Sequence, residues 1–81
     1  MLWLDTGDDL LQVQSLHIMY WPTKRGQAKF VLMAYGWERY GHMEGYIVKE
    51  FAHSDAARAE LARLRLCLQS QANVIIHAEG R

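Results

Sequence analysis

Asp5-Thr6-Gly7 is the first place along the chain where residue types and spacing could do chemistry. An aspartate so placed can be one of two carboxylates that share a proton and activate water, the second coming from another chain. Leu4 supplies an apolar approach, and Val74-Ile75-Ile76 echoes the apolar pair that braces such a site. Gly80 is misplaced for that role, however, and only four residues precede Asp5. A flap and flanking strands would have to come from a shorter chain than this chemistry uses. Short motifs recur by chance. The preferred reading is therefore a turn over Asp5 to Asp9, in which Gly7 supplies positive φ and Asp and Thr bond the nearby backbone.

The other reactive side chains form no recognised site. His17, His42, His53 and His77 lack the i, i+4 spacing of a helical zinc pair, so neither a metal nor a cofactor is expected. Cys67 is the only cysteine and has no activator nearby in sequence, so it reads as an inert thiol beside a helix stripe. Gly36, Gly41 and Gly45 lack the strand–loop–helix context and the terminal Lys-Ser or Lys-Thr of a phosphate loop. They sit among Tyr35, Trp37, Tyr40 and Tyr46, as a glycine-bearing hairpin or as part of an aromatic contact surface. Lys24, Arg25 and Lys29 cluster beside Trp21, where a basic hairpin tip could grip a phosphate backbone.

These residues must be held by a small set of elements. Leu16 to Trp21 alternates, with Leu16, Ile18 and Tyr20 on one face and His17, Met19 and Trp21 on the other. Leu10 to Gln14 alternates as well, and Pro22 is expected to stop the strand. Thr23 to Gln27 reads as a hairpin connection, Ala28 to Trp37 as a second strand, Glu38 to Gly41 as a turn and Glu44 to Phe51 as a third strand. Ser54 is expected to cap a helix over Asp55 to Gln71, whose Ala57, Leu61, Leu64 and Leu68 form one stripe. Val74 to Ala78 closes the chain as a short strand. The expected fold is one α+β domain over residues 1–81. It has an antiparallel sheet of about four strands in the order β-β-β-α-β, with the helix on one face.

One helix covers one side of such a sheet. With Leu16, Ile18, Phe30 and Leu32 on the covered side, the open side presents Met19, Trp21, Val31, Met33, Tyr35 and Trp37. An antiparallel sheet with a solvated face normally shows polar residues there, whereas Trp, Tyr and Met are enriched at protein interfaces. The candidate partner-binding residues are Trp21, Arg25, Met33, Tyr35 and Trp37. The competing reading folds Leu2, Trp3 and Leu4 over this face to complete the core. A lesser candidate is a helix ridge of Arg58, Arg65 and Leu66.

Composition narrows the partner. The chain has 81 residues, 51% of them hydrophobic, which suits a folded domain with a thin core. Nine Lys and Arg balance nine Asp and Glu, so there is no net charge to attract nucleic acid or an anionic membrane. Near-zero charge favours self-association, and a homodimer is one expectation. The start of the chain lacks the basic and apolar runs of a leader. No apolar stretch approaches the roughly 20 residues of a membrane span. A lone cysteine fits a cytoplasmic setting.

The segment from Phe51-Ala52-His53-Ser54-Asp55-Ala56-Ala57 into Ala72-Asn73-Val74-Ile75-Ile76, with the hairpin before it, resembles small phage-encoded anti-CRISPR proteins in element layout. The resemblance covers Leu16 to Ala78. It implies a non-catalytic inhibitor that blocks a larger bacterial defence complex by direct contact, and it transfers no residue roles. The alternative expectation is a small nucleic-acid-binding domain using the Lys24–Lys29 hairpin. A dimeric hydrolase built on Asp5 is the weakest.

Overall fold

A computed structural model describes residues 1–22, 28–37 and 41–79. The elements are β1 (Leu2–Asp5), β2 (Leu10–Pro22), β3 (Ala28–Trp37), β4 (Met43–Phe51), α1 (Ser54–Gln69) and β5 (Val74–His77). They build one five-stranded sheet in the order β4-β3-β2-β1-β5. Four of these strands pair antiparallel in sequence, while β5 runs parallel to β1.

The fold is therefore α+β, as the alternations predict, but with five strands and a mixed sheet. Leu2, Trp3 and Leu4 do not fold over the open face. They belong to β1, whose Leu2 and Leu4 join the core while Trp3 faces the other way and donates from Nε1 to Asn73 Oδ1 at 3.1 Å. The parallel pair follows from the path of the chain. Strand β4 ends at the same side of the sheet where β5 must start, and α1 carries the chain across. Sixteen helical residues span about 24 Å, enough to cross four strand spacings of roughly 4.8 Å each.

Leu10 to Gln14 and Leu16 to Trp21 are one strand, not two. The β2–β3 register shifts between Val13 and Ser15. One extra residue in a strand reverses the facing of everything beyond it. Leu11 and Val13 thus face the same side as Leu16 and Ile18, although their residue numbers differ in parity. Beyond the bulge β2 lies so close to β3 that a Cβ on Gly36 would stand 2.7 Å from the carbonyl oxygen of Gln12. The sheet is also curled. Just past β5, Glu79 N–H donates to Ile47 O of β4 at 2.7 Å, so the two opposite edges of the sheet meet.

The core lies between α1 and the inner face of this curl: Leu2, Leu4, Val13, Leu16, Leu32, Ala34, Leu64 and Ala78. The helix stripe has the expected phase. Ala57 and Leu64 are fully buried, while Leu61 and Leu68 are half-buried against the core, as is Cys67. Ser54 is not the N-cap. The helix starts at Ser54 itself, and His53 precedes it without a side-chain cap bond, its carbonyl accepting from Ala57 N–H at 3.3 Å. The helix ends at Gln69 rather than Gln71, where Ser70 N–H turns back to Cys67 O. No helix among the described residues is long and apolar enough to cross a membrane.

Candidate functional site

Residues of β3 at odd numbers point away from α1, and the register sets their neighbours. Lys29 lies opposite Trp21, with its Nζ 5.5 Å from the Trp21 ring centroid and 3.0 Å from Glu50 Oε1. Val31 lies between Met19 and Glu50, Met33 between His17 and Ile47, and Tyr35 between Ser15 and Gly45. Trp37 lies opposite Met43. Over this face no described helix or strand is laid. The row from Lys29 to Trp37 extends for about 27 Å at roughly 3.4 Å per residue.

Exposure along the row is graded. Trp37 is 55% exposed and Met43 45%, whereas Trp21, Met33, Tyr35 and Ile47 are half-buried by their neighbours. Val31 is 0% exposed although it sits on the uncovered side, so it is a packing residue and not part of any open surface. The Tyr35 ring is fixed twice. It packs edge-on against His17, with centroids 5.3 Å apart and planes at 88°, and it fills the space over Gly45. Gly45 therefore belongs to the aromatic surface: it is the seat that lets Tyr35 lie low on the sheet.

Four of the five candidate residues, Trp21, Met33, Tyr35 and Trp37, thus share one face. Arg25, with Lys24 and the rest of the hairpin at 23–27, lies outside the described residues, as do Glu38 to Tyr40. Met43 and Ile47 join the row: Met43 lies before the strand expected from Glu44, and the facing of Ile47 depends on the β3–β4 pairing, whose register shifts between Leu32 and Met33. The alternation Met43, Gly45, Ile47 carries the signal. Lys29 is not a free cation, since Glu50 holds it. That removes one of three charges on which a phosphate grip would rest.

The Asp5 triplet and His77 have backbone and cross-strand partners. Asp5 Oδ1 accepts from Gly7 N–H at 2.8 Å, and Thr6 N–H donates to Asp9 O at 3.0 Å. Thr6 is buried, its hydroxyl accepting from Asp9 N–H at 3.0 Å, and Gly7 has φ 94°. The triplet is a turn in which the carboxylate braces the backbone. Asp5 also lies 3.5 Å from His77 Nδ1 across the β1–β5 pair, at the surface. Among the described residues no group of three or more His, Cys, Asp or Glu is placed to hold a metal ion.

No family model matches the chain, and neither a curated protein nor a solved structure matches it.

Proposed function

We propose that the protein is a binding domain without catalytic activity, and that it docks its uncovered sheet face on a larger protein. The observation that supports this reading is the continuous row of Trp21, Met33, Tyr35, Trp37, Met43 and Ile47 on a face over which no described element lies. Trp and Tyr side chains offer large apolar area at low entropic cost, and they are enriched among the residues that dominate binding energy at protein interfaces. The charge balance fits a protein partner better than a polyanion. Formal net charge is zero, and Lys29, in the row itself, is paired with Glu50.

The finer form of the proposal is a phage- or mobile-element-encoded inhibitor acting in the cytoplasm by blocking a CRISPR-Cas complex. It rests on the layout of hairpin, third strand, Ala-rich helix and closing strand. Its test is plaquing of a targeted phage on cells with active CRISPR interference. Restored plaquing with wild type but not with Trp37→Ala is the expected result, and full interference in both refutes the finer form alone.

The broader form is tested by parallel capture with wild type, Trp37→Ala and Leu66→Ala as baits. A protein held by wild type and Leu66→Ala but lost from Trp37→Ala is expected. A second copy on the face would instead double the molar mass in light scattering, and Trp37→Ala would halve it again. Steeply salt-dependent retention of DNA or RNA by all three baits would favour the hairpin reading.

A further inference from the structure

The inner face of the sheet is not wholly covered by α1. Near the helix start, Ile18, Tyr20 and Phe30 run out from under it, and Tyr20 remains 61% exposed. Together with Ser54 and Arg58 they line an open cavity of about 240 Å³. Its walls are of two kinds. One is apolar and aromatic: Tyr20 and Phe30 are register partners whose rings meet edge-on, with centroids 5.7 Å apart. The other is formed by Ser54 and Arg58, which carry a hydroxyl and a guanidinium.

Arg58 is the cation that lines this cavity. Arg63 is held by Glu60 one turn away, and Lys29 by Glu50. Arg58 has no ion-pair or hydrogen-bond partner among the described residues, and the adjacent acid, Asp55, does not line the cavity. An arginine with unpaired N–H groups lining an aromatic-walled space can recognise a carboxylate attached to a flat apolar body. We infer that this cavity is a binding site for a small aromatic carboxylate. The ring lies against Ile18, Tyr20 and Phe30. The carboxylate accepts from Arg58, and the Ser54 hydroxyl donates to its remaining lone pairs. The volume lies below the roughly 300 Å³ at which drug-sized ligand pockets begin, and it suits one six-membered ring with a short arm. The site is independent of the face around Trp37, which points to the opposite side of the sheet.

The test is an amide-detected NMR titration with phenylacetate and, separately, with its neutral amide, phenylacetamide. Phenylacetate is expected to give saturable shifts centred on Ile18, Tyr20, Phe30, Ser54 and Arg58. Phenylacetamide should bind at least about tenfold more weakly, because it cannot form the charge-assisted pair. Arg58→Gln, an exposed substitution that leaves the fold intact, should abolish the difference between the two. Arg65→Gln, on the same helix but away from the cavity, should preserve it. The inference is overturned by the absence of saturable shifts up to roughly 10 mM. Equal affinity for carboxylate and amide would also overturn it, as would an equal loss from Arg65→Gln.

Discussion

The Tyr35 ring occupies the space that a side chain at residue 45 would need: a Cβ on Gly45 would lie 2.5 Å from Cε1 of Tyr35. The two are register partners on β3 and β4, so this is a cross-strand pair of an aromatic and a glycine. Gly45→Ala must push the ring off its seat and disturb its edge-on packing with His17. We expect a cost of about 1–3 kcal/mol, the usual range for overpacking. The double variant with Tyr35→Ala should recover most of it. Chemical denaturation of the four proteins in the cycle checks this, and strict additivity would contradict the pairing.

Gly36 offers a sharper case. The obstacle there is the backbone carbonyl of Gln12, 2.7 Å from the position of a Cβ, and not the end of a side chain. A ring can rotate, but a strand in a paired sheet cannot. Gly36→Ala should therefore cost more than Gly45→Ala, about 3 kcal/mol or above. Melting temperatures of the two variants rank them directly. The reverse order would mean that β2 and β3 do not approach so closely at the bulge.

The helix phase and its register on the sheet can be checked by truncation. Leu64 is fully buried, and Leu64→Ala should cost about 2–5 kcal/mol. Leu61 is only half-buried and should fall at or below the low end of that range. Leu66 is 71% exposed, so Leu66→Ala should change stability by no more than about 0.5 kcal/mol. Urea midpoints for the three proteins test the order Leu64, Leu61, Leu66.

Much of this was legible from residue patterns. The stripe Ala57, Leu61, Leu64, Leu68 gave the helix and its buried side, because four apolar residues at helical spacing leave little freedom of phase. The alternation in β3 placed Met33, Tyr35 and Trp37 on one face for the same reason. Three features were not legible. Leu2 to Asp5 is too short to display a period, and its partner β5 is more than 65 residues away, so the parallel pair has no local signature. The bulge at Gln14 needs knowledge of the opposing strand, since only the pairing reveals a skipped residue. The burial of Val31 follows from long neighbours on both sides, which alternation alone does not reveal.

Asp5 separates the turn from the catalytic reading of the same triplet. An amide oxygen at residue 5 can accept from Gly7 N–H as the carboxylate does. Asp5→Asn should then leave stability within about 1 kcal/mol and biological activity unchanged. A correctly folded Asp5→Asn protein that had lost activity would restore the carboxylate to a chemical role.

Under the function proposed above, the uncovered sheet face holds a protein partner, with Trp37 as the most exposed described aromatic on that face. Trp37 is 55% exposed, so its truncation should barely alter the melting temperature. Its loss from an interface should cost at least about 2 kcal/mol, or roughly thirtyfold in affinity. The direct measurement is the dissociation constant of the captured partner for wild type and Trp37→Ala, by calorimetry at low and moderate salt. A loss of roughly thirtyfold or more, similar at both salt concentrations and without a change in melting temperature, is the predicted result. Equal affinity of the two proteins, or a loss seen only with Arg58, Arg65 or Leu66 variants, would contradict it.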